Sequence, residues 1–251
     1  MIFSVSAVCL AYLLGVVVCA FYIRNLSLVG AGFFWLFNSI AISFAFLSFI
    51  ASSDKVHLLS ALLFVLASIQ LAYSIVQRNT YRKKPWYYEN VLYVLVIGLV
   101  VLTLVLIANQ DFSGWPLVRE SLRLLFGGLL LGGVTSAMLL GHWYLVQPGL
   151  TRKPIDFLCR ASMLVLGIDI FLWLLSPSMI SVLKGTVSDG WGGTLGYMWV
   201  GSCLTTAALL FVARKALQEK SYSAVMATTG LLYLAILVAN GVELIPRAIF
   251  A

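Results

Sequence analysis

Eight long apolar runs constrain the fold of this chain more than any other feature of its sequence. They cover approximately residues 2–23, 29–51, 57–77, 90–109, 123–146, 158–181, 191–213 and 222–245. A helix of about 20 apolar residues is long enough to cross the hydrocarbon core of a bilayer. Strands of membrane barrels alternate polar and apolar residues, and these runs do not. The runs therefore predict an all-α, polytopic bundle of eight transmembrane helices, organised as one transmembrane domain over residues 1–251.

Composition supports a lipid environment. Of the 251 residues, 62% are hydrophobic and 10% are charged, whereas a soluble domain carries about 25% charged residues. The lipid bilayer is therefore the predicted partner. The net charge of +7 would fit nucleic acid in a soluble protein, but the basic residues cluster in short loops and no nucleic-acid motif is present. We expect no nucleic-acid binding.

The basic residues set the predicted orientation. Eleven of the sixteen fall in alternate loops, and the positive-inside rule places those loops in the cytoplasm. They are Arg24, Arg78, Arg82, Lys83, Lys84, Arg152, Lys153, Arg160, Arg214, Lys215 and Lys220, against Lys55, Arg119, Arg123, Lys184 and Arg247 on the other side. Both termini are then outside, and the first run is a retained helix because no basic residue precedes it. The compact loops favour a bacterial inner (plasma) membrane.

Small residues recur at helical spacing in the fifth run. Gly128, Gly132 and Ser136 form one row, and Gly133, Ala137 and Gly141 form the adjacent row. Such rows let helix backbones approach closely, which places the fifth helix at the centre of the bundle. Gly192 and Gly196 repeat the pattern in the seventh run.

Ionisable residues inside the runs are the candidate functional groups, because burying a charge in a membrane is costly. Asp169 has no charged residue within eight positions, and His142 changes charge near physiological pH. We predict a proton or polar-ligand path in which His142 lies at the cytoplasmic mouth and Asp169 carries the proton at mid-depth. The remaining residues of this path are Thr135, Arg160, Thr205 and Thr228, with Thr206 and Thr229 at the same inner level as the last two.

Each candidate also has a structural interpretation. Arg160 follows Asp156 by four residues, which favours an ion pair on one helix, and His142 or Asp169 could simply hydrogen-bond a neighbouring helix. His57, Asn240 and Glu243 form a possible second polar cluster near the outer face, or are residues that meet water at the interface.

The sequence lacks the motifs of most enzymes. No HExxH, GxSxG, P-loop or GxGxxG is present, so enzymatic activity stays undecided. The two histidines lie near opposite faces and the four cysteines are scattered, so we predict no metal site and no haem within one chain. The span count is similar to that of quinone-binding membrane subunits of molybdopterin oxidoreductase complexes, although no motif can be matched to them.

Two functions remain open after these exclusions. The first is a membrane subunit or transporter-like protein that handles protons, a polar ligand or a quinone through Asp169 and His142. The second is a structural anchor that assembles with other membrane subunits and has no chemistry of its own. Replacing Asp169 by Asn separates them, because that change removes titration and keeps the shape.

Overall fold

The computed structural model describes residues 5–52, 54–76, 87–147, 149–186, 191–219 and 221–250. These residues form an all-α structure with nine helices in the described part of the chain. They are α1 (Val5–Asn25), α2 (Ala31–Ala51), α3 (Asp54–Val76), α4 (Tyr87–Asp111), α5 (Trp115–Val146), α6 (Lys153–Leu174), α7 (Pro177–Leu183), α8 (Thr194–Ala216) and α9 (Tyr222–Ile249). All except the short α7 are long and apolar enough to cross a membrane. The predicted all-α multi-pass membrane bundle with eight spans is confirmed.

The chain divides into two compact units. The N-terminal unit contains residues 4–132 and 147–151, and the C-terminal unit contains residues 133–146 and the described residues from 152 onward. Helix α5 contributes its first part to one unit and its last part to the other. The single transmembrane domain therefore stays a prediction.

Close backbone contact between α1 and α5 organises the N-terminal unit. A Cβ atom on Gly132 would lie 2.1 Å from the carbonyl carbon of Gly15, and one on Gly128 would lie 2.2 Å from the carbonyl oxygen of Ala11. Side chains have no room at these positions, which explains the first small-residue row of α5. Around this pair, α1 also packs against α2 and α4, while α3 packs against α2 and α4.

The C-terminal unit uses the second small-residue row of α5. A Cβ atom on Gly133 would lie 2.7 Å from Ser162 Oγ of α6, and one on Gly141 would lie 2.6 Å from Thr229 Oγ1 of α9. In the same unit α8 packs against α6, α7 and α9. The predicted close packing along both rows of α5 is confirmed.

Three helix ends differ from the ends of the predicted runs, because a glycine or a proline begins or ends the helix at each of them. Helix α5 begins at Trp115, eight residues before the predicted run, after Gly114 with φ +62°. Proline in a first turn is compatible with a helix, and Pro116 occupies that position. The sixth span ends at Leu174, since Pro177 begins the separate helix α7. Gly192 lies in a turn with φ +67°, so it does not form a helical row with Gly196 as predicted.

Three basic residues that were predicted to lie in loops are instead buried within helices. Arg24, Arg123 and Arg247 lie within helices, are buried and form ion pairs with acids, so they are not loop charges as predicted. Removing them leaves ten basic residues on the predicted cytoplasmic side and three on the other. The predicted orientation does not depend on them.

Five of the basic residues used for the predicted orientation fall outside the described residues, namely Arg78, Arg82, Lys83, Lys84 and Lys220. Aromatic residues at helix ends are exposed, as is typical near a membrane interface. They are Tyr87 and Tyr88 at the start of α4, Trp115 at the start of α5, and Trp191 before α8.

Candidate functional site

Three charged side chains are buried in the C-terminal unit. Asp169 of α6 is 0% exposed, and Glu243 and Arg247 of α9 are 2% and 4% exposed. Arg247 Nη2 donates to Glu243 Oε2 at 3.0 Å. The buried charged side chains among the described residues of this unit are therefore two acids and one base.

Helical periodicity places these residues on the buried faces of their helices. Asp169 shares the buried face of α6 with Ser162, Leu166 and Trp173, at spacings of three and four residues. On α8 the corresponding face carries Trp199, Cys203, Thr206 and Leu210. Glu243 lies on the buried face of α9 with Ala239 and Val242.

Cys203 links the two carboxylates in space. Both Asp169 and Glu243 lie close enough to the Cys203 thiol to act on it electrostatically. Three helices, α6, α8 and α9, therefore converge on this group. We call Asp169, Cys203, Glu243 and Arg247 the carboxylate cluster.

Large aromatic side chains lie one helical turn from two members of the carboxylate cluster, Trp173 after Asp169 and Trp199 before Cys203. Trp173 and Trp199 are both buried, and the Trp173 ring stacks on Phe250 with 6.4 Å between centroids. Such surroundings exclude bulk water and strengthen electrostatic interactions. Hydrogen-bonding capacity remains inside, because Glu243 Oε1, Arg247 Nε and Trp199 Nε1 have no hydrogen-bond partner within the described part of the chain.

The carboxylate cluster lies near one end of its helices. Asp169 precedes the end of α6 at Leu174 by five residues, which is about 7.5 Å along the axis. Glu243 precedes the end of α9 at Ile249 by six residues, about 9 Å. The expected mid-depth position of Asp169 rested on a sixth span that continued to residue 181, so the earlier end of α6 shifts Asp169 toward the predicted outer side.

The other residues of the predicted path differ from one another in burial. His142 is exposed on α5, and Thr205 is exposed on α8 while its neighbour Thr206 is fully buried. Thr135 is buried on α5. Thr228 is buried too, but its hydroxyl donates to the carbonyl oxygens of Ala213 and Ala224.

Arg160 has the structural arrangement that the sequence indicated. Its Nη2 lies 2.6 Å from Asp156 Oδ2, and Arg214 of α8 contacts the other oxygen of Asp156 at 3.0 Å. The Arg160 side chain is 57% exposed. This group joins α6 to α8 at the end opposite to Asp169.

The predicted outer cluster divides between the two units. His57 belongs to the N-terminal unit, where its Nδ1 lies 2.9 Å from Ser52 Oγ and its ring lies against Phe49. In the C-terminal unit Asn240 donates to its own helix at the Ile236 carbonyl. Of the three predicted residues, Glu243 alone joins the carboxylate cluster.

Sequence reasoning missed several buried partners. Glu243 and Arg247 have the acid-before-base spacing of four residues that was recognised at Asp156 and Arg160. Glu120 pairs with Arg123 on the part of α5 that was taken for a loop. Arg24 and Glu89 are 65 positions apart, and no local pattern indicates their contact.

No three His, Cys, Asp or Glu side chains are grouped to hold a metal ion within the described residues. Comparison with protein-family models, characterised proteins and solved structures gives no match to this chain. The function therefore has to be argued from the carboxylate cluster itself.

Proposed function

We propose that this multi-pass membrane protein binds and releases a proton at the carboxylate cluster, with Asp169 and Glu243 as the proton-carrying groups. The observation that carries the proposal is the burial of two carboxyl groups that both act electrostatically on the Cys203 thiol, with Arg247 as the one buried base among the described residues of that unit. Two neighbouring carboxylates disfavour each other's ionisation, more strongly where water is excluded.

The charge count specifies how many protons are involved. If both acids ionised, two like charges of the carboxylate cluster would repel each other in an apolar environment, which is expensive. One bound proton leaves a single carboxylate to pair with Arg247. Because Glu243 already contacts Arg247 at 3.0 Å, we assign the resting proton to Asp169.

Thr206 is the residue best placed to extend a proton path along α8. It lies one helical turn from Cys203 on the same buried face, and its Oγ1 has no hydrogen-bond partner in the described part of the structure. Thr205 points to the exposed side, so Thr206 takes its place in the proposed path. His142, being exposed on α5, would exchange protons with the aqueous side.

A proton site of this kind suits a subunit of a larger membrane complex or a transporter-like protein. Supplying a proton to a quinone while a redox-active partner subunit reduces it is one reaction that such a site would serve. The short loops and the basic bias support a bacterial inner membrane as the location.

Infrared spectroscopy of the purified protein in lipid tests the proposal directly. A protonated carboxylic acid has its own carbonyl band, which disappears when the acid ionises. We expect a band in the wild type that persists above the pH range of exposed carboxyls and is lost in Asp169→Asn. Proton flux into vesicles containing the protein should fall in the same variant.

Asp111→Asn is the matched control, because Asp111 is exposed at the end of α4. It should leave the band and the flux unchanged. A band that is the same in the wild type, Asp169→Asn and Glu243→Gln would refute the proton site.

The alternative function is a structural anchor for other membrane subunits. The observation in its favour is that most buried charges are paired, including Arg24 with Glu89 and Glu120 with Arg123. An anchor predicts that Asp169→Asn folds normally, retains all co-purifying subunits and leaves the activity of the whole complex intact.

A further inference from the structure

A group of charged side chains lies at the end of the C-terminal unit opposite to Asp169. Among the described residues at this end, five are basic and two are acidic, which gives a net charge of +3. They are Arg152, Lys153, Arg160, Arg214 and Lys215, with Asp156 and Glu219. We call these seven residues the basic surface.

Two arginines of the basic surface share one carboxylate. Arg160 Nη2 lies 2.6 Å from Asp156 Oδ2, and Arg214 Nε lies 3.0 Å from Asp156 Oδ1. One carboxylate neutralises one guanidinium, so this triad keeps a positive charge. Each guanidinium carries several N–H donors, more than a shared carboxylate can accept. The Arg160 side chain is exposed and that of Arg214 is partly exposed, so both are accessible from outside the unit.

Exposed apolar side chains flank Arg160 on its own helix. Phe157 lies three residues before Arg160 and Leu164 lies four residues after it, so the three share the exposed face of α6. The Arg160 guanidinium reaches back to Asp156, one turn nearer the end of the helix. A basic side chain that snorkels to a membrane interface takes this direction. The face therefore joins apolar side chains to a cation near the helix end.

The end of α8 has the same arrangement. Phe211 and Val212 are about half exposed, and Lys215 follows them by one turn with its Nζ 5.6 Å from the centre of the Phe211 ring. Because Arg214 contacts Asp156 of α6, the charged ends of α6 and α8 are adjacent. Two neighbouring helices thus present exposed apolar side chains next to one group of cations.

The basic bias of the loops explains the number of these cations but not their arrangement. Topology depends on how many basic residues lie near the ends of the spans. It does not require arginines from two different helices to meet at one carboxylate beside exposed apolar side chains.

We propose that the basic surface binds an anionic phospholipid, with the phosphate at Arg160 and Arg214 and the acyl chains along the exposed apolar residues of α6 and α8. Guanidinium groups suit a phosphate, because their paired N–H donors match its oxygens. A lipid with a net negative charge complements the excess positive charge of this surface, whereas a zwitterionic lipid does not. The basic surface lies at the other end of the unit from the carboxylate cluster, so this site does not rest on the proposed proton function.

Native mass spectrometry of the full chain tests this site. The purified protein is incubated with equal amounts of phosphatidylglycerol and phosphatidylcholine that have identical acyl chains. We expect the first bound lipid to be phosphatidylglycerol with a preference on the order of twentyfold, because two basic residues near a headgroup each favour an anionic lipid by about fivefold.

Three single variants locate the site. Arg160→Gln should lower the preference for phosphatidylglycerol by about fivefold, and Arg160→Lys, which keeps the charge, should retain most of it. Lys184→Gln is the matched control, because it removes the same charge from an exposed residue near the opposite end of the unit. It should leave the preference unchanged. All three substitutions change exposed side chains, so each variant should unfold at the wild-type temperature.

Three results would overturn the proposal. The first is equal binding of the two lipids by the wild type. The second is the same loss of preference in Lys184→Gln as in Arg160→Gln, because overall charge would then select the lipid. The third is displacement of the bound lipid by an equal concentration of glycerol 3-phosphate, which has the phosphate without acyl chains and would identify a site for soluble anions.

Discussion

The two units treat buried charge differently. In the N-terminal unit each buried charged side chain has a partner of opposite sign, Arg24 with Glu89 and Arg123 with Glu120. In the C-terminal unit Asp169 and Glu243 both act on Cys203, while Arg247 is the single buried base among the described residues. In the described part of the chain, the numbers of buried acids and bases match in the first unit and differ by one in the second.

This difference distinguishes buried charges that stabilise the fold as ion pairs from buried carboxyl groups that can bind a proton. A balanced pair has no reason to exchange protons with its surroundings, since each member stabilises the ionised form of the other. A carboxyl group near a second carboxyl group in an apolar environment is stabilised by a bound proton. The comparison therefore predicts that titration matters in the C-terminal unit and that ion pairing matters in the N-terminal unit.

The largest effect is expected for Glu89→Gln. This variant leaves the Arg24 guanidinium buried without a counter-charge, which costs about 3–5 kcal/mol. Chemical or thermal unfolding in detergent should show the loss, whereas Glu219→Gln, at an exposed position, should not. An exchange of charges, with Arg24→Glu and Glu89→Arg combined, should recover part of the stability. A stable Glu89→Gln variant would mean that the pair is dispensable.

Alanine variants of two neighbouring glycines of α5, Gly132 and Gly133, allow helix packing in the two units to be compared. Gly132→Ala places a Cβ against the backbone of Gly15, which cannot move without shifting α1, so we expect a loss of about 1–3 kcal/mol. Gly133→Ala meets Ser162 Oγ, which can rotate away, and should cost about 1 kcal/mol or less. Equal unfolding free energies for the two variants would contradict the backbone contact between α1 and α5.

Glu243→Gln tests whether the second acid of the carboxylate cluster can replace the first as the partner of Arg247. Arg247 loses its partner, but Asp169 lies in the same cluster and can ionise in place of Glu243. The stability loss should therefore be smaller than that of Glu89→Gln, about 1–2 kcal/mol. Combining Glu243→Gln with Asp169→Asn removes both acids and should destabilise the protein more than the two single variants added together. Additive effects would show that Asp169 and Glu243 act independently.

The smallest effect is expected for His142→Ala. The side chain is exposed on α5, and exposed substitutions usually change stability by less than about 0.5 kcal/mol. The infrared carboxyl band should also keep its pH dependence, although proton exchange would become slower if His142 supplies the entrance. A clear loss of stability would show that the histidine has a packing role.

The predictions that succeeded rest on local patterns. The eight spans follow from run length, because a bilayer of fixed thickness requires a minimum number of apolar residues. The close packing of α5 follows from two rows of small residues, and the Asp156–Arg160 pair follows from a spacing of four. Each of these signals lies within one helix.

The predictions that failed needed information from elsewhere in the chain. The predicted apolar run began at residue 123 and left Arg119 and Glu120 outside it, yet Glu120 and Arg123 pair with each other inside the unit. Thr205 was preferred to Thr206, but the face of α8 that is buried depends on where α6 and α9 lie.

The sequence alone determined that the chain is a multi-pass helical membrane protein and that Asp169 is an unusual residue within it. The tertiary structure decided which residues accompany Asp169. Glu243 lies 74 positions further along the chain and was expected in a different cluster, and Cys203 is one of the four scattered cysteines that were given no role. Their meeting depends on the packing of α8 between α6 and α9. Periodicity within one helix specifies a face, but only the neighbouring helices specify what that face meets.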